Sequence, residues 1–280
     1  MKNPLSSYRQ DGLALDGARA VITGGGSGIG RRMAIGAARK GAVVTVWDRD
    51  RSRADAVRDE IVAGGGRAFS FGVDVADEAA VAVAADHTGP ADILINNAGV
   101  VSGRSLLDSQ TGAINRTLDV NLRSLFWVTR AFLGGMTERR TGYVVTIASA
   151  AGLVAGAKMS DYAASKAGAI AFNEALRNEM RDAGSPVATM VVCPFYIDTG
   201  MFSGVKSRFP LLLPILEPRQ VAGAVLRGIE RGSKQIVMPP LVRSVPLLRL
   251  LPVGAFDWVA DQLGINESME DFTGRRGDRL

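Results

Sequence analysis

Residues 18–30 read Ala18-Arg19-Ala20-Val21-Ile22-Thr23-Gly24-Gly25-Gly26-Ser27-Gly28-Ile29-Gly30: a short apolar run, a glycine cluster, then a helical pattern that lasts to Lys40. An apolar run of this length, β-branched at its end, predicts a strand, and the glycines that follow predict a turn too sharp for side chains. Glycines there also let the backbone approach a pyrophosphate closely, and the N-terminus of the following helix favours the negative charge. Gly24, Gly26, Ser27, Gly28, Ile29 and Gly30 are therefore candidate phosphate-loop residues. A second apolar run, 42–47, stops at Asp48, 18 residues after Gly30. A carboxylate at that point can accept hydrogen bonds from the two adenosine ribose hydroxyls and repels a 2′-phosphate, so Asp48 favours NAD over NADP. The neighbouring Arg49 and Arg51 pull in the other direction.

The same alternation continues down the chain. Helical patterns cover 51–63, 77–86, 112–139, 160–182 and 218–231, and apolar strand-like runs cover 67–73, 92–95, 143–148, 187–192 and 235–238. Strands alternating with helices, most of them apolar on both faces, predict a parallel sheet covered on both sides. Right-handed crossovers then give an α/β fold of doubly wound Rossmann type, with seven parallel strands in a single domain. The reading divides the chain into an N-terminal extension (1–16), the Rossmann domain (17–240) and an apolar tail (241–280).

Chemistry enters at Tyr162-Ala163-Ala164-Ser165-Lys166, at the start of the predicted helix 160–182. The i, i+4 spacing puts Tyr162 and Lys166 on one face, one turn apart. A nearby ammonium favours tyrosinate, which predicts a lowered phenol pKa suited to proton exchange with a carbonyl or alcohol oxygen. Tyr-x-x-x-Lys alone is a commonplace helix-surface pair. Ser149 changes its meaning, because it follows the strand 143–148 at the carboxyl edge, where α/β sheets place ligands.

Taken together, these motifs resemble the short-chain dehydrogenase/reductase family, over about residues 17–238. The resemblance implies a nicotinamide cofactor, here NAD, and Asn121, Ser149, Tyr162 and Lys166 as the catalytic set, Asn121 holding a water in the proton relay from Lys166. It implies that Asn97, Ala98 and Gly99, within Asn96-Asn97-Ala98-Gly99, support the sheet and the adenosine pocket. Asp74 and Val75 match the pair that contacts adenine, Lys166 would hold the nicotinamide ribose, and Pro194 and Thr199 would lie by the nicotinamide amide. One position departs from the pattern: Phe195 stands where the family has glycine after Pro194. If that position required positive φ, phenylalanine would cost on the order of 1 kcal/mol or more. Either the turn is rebuilt or Phe195 faces the substrate.

The segment 195–217 and the tail are unusually apolar for a substrate loop and a chain end. They point to a lipophilic alcohol or carbonyl compound, retinoid-like, steroid-like or long-chain. Phe256-Asp257-Trp258 and Ser268-Met269-Glu270-Asp271-Phe272 resemble the tail of the family's retinol and hydroxysteroid dehydrogenase branch. Oligomer interface, core cover and membrane contact that rests on a lipid surface without spanning it are the three readings of the tail, and the family is commonly dimeric or tetrameric. The competing functions are a 3-ketoacyl-thioester reductase, against which Asp48 weighs, and a catalytically idle dinucleotide-binding module.

Composition removes other classes. One cysteine, Cys193, and one histidine, His87, allow no internal disulfide and no Cys/His zinc site. His87 reads as a surface turn residue and Cys193 as a small buried apolar one. The net charge is +5, with 33 basic residues scattered among 28 acidic ones, and no basic cluster with interleaved aromatics predicts nucleic-acid binding. The N-terminal residues show no signal-peptide pattern and no run reaches the roughly 18 apolar residues of a spanning helix, so the expected location is cytoplasmic, with peripheral membrane association as the variant.

Overall fold

The computed structural model describes residues 10–274. Its centre is a seven-stranded, all-parallel sheet with strand order β3-β2-β1-β4-β5-β6-β7. The strands are β1 (Arg19–Thr23), β2 (Val43–Asp48), β3 (Arg67–Gly72), β4 (Ile93–Asn96), β5 (Tyr143–Ile147), β6 (Ala188–Pro194) and β7 (Gln235–Met238). Each predicted strand is present, with ends shifted by at most two residues. Of the predicted N-terminal extension, residues 1–9 lie outside the described residues.

Alternate side chains of the central strands enter opposite layers, as the pleat requires. Ala20, Ile22, Ile93, Ile95, Tyr143 and Val145 face one layer, where α1 (Gly28–Arg39), α2 (Arg51–Ala63) and α7 (Pro218–Arg231) supply Met33, Val57 and Ile229. Val21, Leu94 and Val144 face the other, where α3 (Glu78–Thr88), α5 (Ser124–Glu138) and α6 (Ser160–Asp182) supply Val81, Phe132 and Leu176. Strands apolar on both faces can be satisfied only by helices on both sides.

The predicted helix 112–139 is not one uninterrupted α-helix. It is α4 (Thr111–Leu118), a single π turn at Asp119–Arg123, and α5. Hydrophobic periodicity does not register a one-residue insertion of this kind. His87 lies in the last turn of α3 rather than in a turn after it, exposed, with Nδ1 2.8 Å from the Val83 carbonyl oxygen. Beyond β7, a short 3₁₀ segment (Pro240–Ser244) leads into α8 (Val245–Leu248) and α9 (Val253–Gln262). These pack beside the segment after β6, with Leu213, Val242, Val245, Phe256 and Leu263 in one apolar cluster.

Strand order reverses between β1 and β4. At such a switch point the loops leaving the two strands diverge to opposite faces and open a crevice at the carboxyl ends. The glycine loop, Asp48, Asp74, Asn97, Ser149 and Pro194 lie at or just after such strand ends, while Asn121, Tyr162 and Lys166 come from helical elements.

Candidate active site

The crevice is a cleft of about 440 Å³. Its walls include Gly24, Ser27, Gly28, Ile29, Asp48, Asp74, Val75, Asn97, Ala98, Gly99, Ser149, Tyr162, Lys166, Pro194 and Thr199, so fifteen candidates from seven separate stretches of sequence share one space. Gly26, Gly30 and Asn121 do not line it and act from behind.

The glycine loop is as tight as its composition demands. Gly24 and Gly28 take positive φ, +60° and +53°. A Cβ on Gly24 would lie 2.9 Å from the Cα of Ala98, and one on Gly30 would lie 2.1 Å from the carbonyl oxygen of Gly24. The loop can thus close against β4 only without side chains. The N-cap Ser27 makes no side-chain capping hydrogen bond to α1, and the first turn holds no acidic residue. A helix start of this kind suits an anion, and a pyrophosphate fits the cradle that these Cβ atoms would fill.

Thr23, quoted in the motif but not counted as a site residue, is the lock between β1 and β4. Its Oγ1 accepts the backbone N–H of both Asn97 and Ala98, each at 3.0 Å. The Asn97 amide donates back to the carbonyls of Thr23 and Gly24 at 2.9 and 3.1 Å. The Asn-Asn-Ala-Gly element therefore holds the glycine loop in place at the ends of β1 and β4.

Asp48 ends β2 with one carboxylate oxygen accepting the Gly26 N–H at 2.9 Å and the other accepting the Asp50 N–H at 3.1 Å. Each oxygen keeps spare acceptor capacity, and Asp48 lines the cleft. Asp74 is held by a residue the sequence did not single out: Arg116 on α4 donates to both of its oxygens, at 2.8 and 3.1 Å. Partial burial opposes ionisation of Asp74. The Arg116 fork and the Ala76 N–H outweigh that, and the carboxyl titrates below its ordinary value. Val75 is pinned from behind, its carbonyl accepting the Trp127 indole N–H at 2.6 Å.

At the other end of the cleft, Ser149, Tyr162 and Lys166 are all buried. The Lys166 ammonium donates to the Ile147 carbonyl at 2.9 Å and sits 5.8 Å from the centre of the Tyr162 ring. Burial pushes the lysine down to about 8. Burial also pushes the Tyr162 phenol well above its ordinary value, with the Ser149 hydroxyl acting in the opposite sense. The expected lowering by Lys166 is therefore not what the protein alone displays. Desolvation penalises the tyrosinate more than a weakened ammonium at this range repays.

Asn121 occupies the π turn. Its side chain accepts the Val100 N–H at 2.8 Å and donates to the Val100 carbonyl and the Ser165 hydroxyl, at 2.9 and 3.1 Å. It stands beside Lys166 across Gly99, where a Cβ would be 3.3 Å from Asn121 Oδ1 and 3.6 Å from Lys166 Nζ.

The turn after β6 holds Phe195 in an ordinary backbone conformation, and Phe195 lines the cleft. Among the described residues the positive-φ residues other than glycine are Arg140 and Lys158, so Phe195 bears no left-handed strain. Its N–H donates to the Met238 carbonyl at 2.8 Å and its ring packs edge-on against Tyr196 at 4.6 Å. Tyr196 and Phe202 then carry the apolar wall to Tyr162, whose ring meets Phe202 at 5.8 Å. The tail closes over this wall. Tyr196 and Ser268 exchange a 2.8 Å hydrogen bond, Met269 is buried with Tyr162 and Val205, and Ile265 reaches the cleft.

A parallel sheet with a glycine-rich helix start at its switch point is the architecture of a dinucleotide-binding α/β protein, and a buried Ser-Tyr-Lys group lies beside that site. The short chain dehydrogenase profile matches residues 18–208. Epidermal retinol dehydrogenase 2 of Mus musculus is 36% identical over 263 residues, covering 91% of this chain and 85% of that one. Retinol dehydrogenase 10 of Homo sapiens is 34% identical over 291 residues, with 91% and 85% covered. A short chain dehydrogenase/reductase from Burkholderia phymatum, solved in complex with NAD, superposes with a TM-score of 0.77 at 27% identity, covering 85% of this chain and 95% of that one. A metagenomic short-chain oxidoreductase solved with NADP gives a TM-score of 0.68 at 28% identity, with 80% and 97% covered. The chain belongs to the short-chain dehydrogenase family of oxidoreductases.

Proposed function

We propose that this protein uses NAD(H) to interconvert a lipophilic alcohol and its carbonyl compound, with Tyr162 exchanging the proton at the substrate oxygen. The observation that carries this reading is the cleft itself. One end presents a glycine cradle and the Asp48 carboxylate, and the other a buried phenol with a hydroxyl and an ammonium beside it.

In this reading Gly24, Ser27, Gly28 and Ile29 hold the pyrophosphate, with Gly26 and Gly30 shaping the loop. Asp48 takes the adenosine ribose, and Asp74, Val75, Asn97, Ala98 and Gly99 enclose the adenosine end. Lys166 holds the nicotinamide ribose, and Pro194 and Thr199 lie by the amide. When bound, the dinucleotide supplies the hydride acceptor or donor. Ser149 orients the substrate oxygen by a hydrogen bond. Tyr162, kept protonated by burial, is set to donate to a carbonyl oxygen, and the reverse transfer needs Lys166 charged beside it. Asn121 ties this end of the cleft to the 97–100 segment.

Substrate class rests on the walls and on the relatives. Phe195, Tyr196, Met201, Phe202 and Ile265 give the space beyond Tyr162 an apolar lining, and two similar proteins bear the name retinol dehydrogenase. A retinoid-, steroid- or long-chain-like alcohol fits such a lining. The same proposal includes peripheral contact of the tail with a lipid surface, supported by exposed Leu247, Leu250, Val253 and Trp258 beside Arg243. Among the described residues no helix is long and apolar enough to cross a membrane. It also includes self-association, for which exposed Phe126 on α5, packed on Phe172 of α6, is a natural contact.

The test is Tyr162→Phe. NADH binding, followed by fluorescence, is expected to persist, while turnover of retinol, a hydroxysteroid or a long-chain alkanol falls by about 10²–10⁴-fold. Turnover near that of the unaltered protein would refute the assignment.

A further inference from the structure

A second cavity lies under the tail, distinct from the cleft but sharing a wall with it. It is about 50 Å³, bounded by α8, α9 and the segment after β6. Val154, Phe195 and Ile265 line both spaces. The other walls come from Leu213, Val245 and Phe256 among others, and Ser244 is the one polar residue in the lining. Along α9 the inward positions Phe256, Val259, Ala260 and Leu263 follow the i, i+3, i+4, i+7 spacing of a single helix face.

A cavity of this composition has little to offer water, which needs two to four polar partners to be held. Hydrocarbon needs none. A single water fills about 10–15 Å³ of such space, so the chamber takes roughly four methylene-sized groups. Its position matters more than its size. A substrate oxygen at Tyr162 would direct the rest of an extended molecule along the apolar wall to Phe195, and the chamber lies immediately behind that ring. Phe195 is the residue that replaces the family's glycine, and it takes an ordinary backbone conformation there. Glycine would leave this part of the wall without a side chain.

We propose that the chamber under α8 and α9 receives the distal hydrocarbon end of the substrate, and that Phe195 is the partition that sets how far the substrate reaches. This rests on the alcohol-oxidoreductase reading above and adds the part of the protein that selects chain length.

Two substitutions act on the chamber from opposite sides. Ala260→Phe fills it from α9, and Phe195→Ala removes the partition. A series of straight-chain primary alkanols, with NAD⁺, gives kcat/KM against chain length. Burial of each methylene is worth about fourfold in affinity, so Ala260→Phe is expected to lower the ratio of kcat/KM for long over short alkanols by tenfold or more. Phe195→Ala is expected to move the optimum to longer chains. A second readout needs no turnover: the fluorescent polyene parinaryl alcohol is titrated into the protein, and Ala260→Phe is expected to weaken its binding by tenfold or more. NADH binding serves as the check of folding, and if Ala260→Phe fails it, Val154→Phe blocks the passage from the opposite wall.

An unchanged chain-length profile together with unchanged polyene binding, in a variant that still binds NADH, overturns the proposal. If no alkanol is turned over but polyene binding is lost in the filled variant, the chamber stands and the alcohol-oxidoreductase reading is what fails.

Discussion

Asp48 carries two tasks at once. Its oxygens tie down the Gly26 and Asp50 N–H groups, and the carboxylate lines the cleft with acceptor capacity to spare. A Cβ on Gly26 would lie 2.8 Å from Asp48 Oδ2, so loop and carboxylate are fitted to each other. Charge-assisted hydrogen bonds to a carboxylate contribute about 1.5–3 kcal/mol. Asp48→Ser is therefore expected to lower the kcat/KM preference for NAD over NADP by roughly 10- to 100-fold. Arg49 and Arg53 already line the same part of the cleft and can meet a 2′-phosphate once the carboxylate is gone. Steady-state kinetics with both cofactors measures this, and an unaltered ratio would exclude the ribose role. The residue scale is also where a one-dimensional reading misjudged Tyr162. Helical spacing gives its distance from Lys166 but says nothing of how completely both are buried, and burial sets the direction of both shifts.

The π turn at Asp119–Arg123 is the element whose form had no signal in the periodicity, although Asn121 within it was marked by the family motif. Within this turn the Asn121 amide spans both backbone groups of Val100. Asn121→Leu would keep the volume but leave those two groups and Ser165 short of partners. A stability loss of about 1–3 kcal/mol is expected, read from the midpoint of urea unfolding. A loss below about 0.5 kcal/mol, within the range of ordinary surface substitutions, would mean that the turn holds itself without the amide. Arg116 went unmarked for a related reason. It lies on α4, 42 residues from Asp74, and only the tertiary fold makes them a pair.

At the scale of the whole molecule, the tail has two apolar sides. One lines the inner chamber and buries Met269 against Tyr162 and Tyr196. The other leaves Leu247 69%, Leu250 80% and Trp258 64% exposed. Such an exposed apolar face is a candidate contact with a lipid surface or a second protein. Co-sedimentation with phosphatidylglycerol vesicles is expected for the unaltered protein. It should be lost on changing Leu247 and Leu250 to Asp, because insertion of apolar side chains is the driving term. If the protein stays in solution with vesicles, and the double variant instead halves the mass measured by light scattering, the face is a subunit interface.

The order of strands and helices, the doubly wound class and the positions of the glycine loop, Asp48, Ser149 and the Tyr-Lys pair were all fixed by local pattern. Each depends on periodicity, turn chemistry or a spacing within one element, and such properties are written along the chain. What tertiary structure alone decided is which distant pieces meet: Thr23 with Asn97, Arg116 with Asp74, Ile265 and Met269 with the wall around Tyr162. The protonation of the central tyrosine belongs to the same group. Desolvation depends on everything within a few ångströms, and that neighbourhood is assembled from segments more than a hundred residues apart.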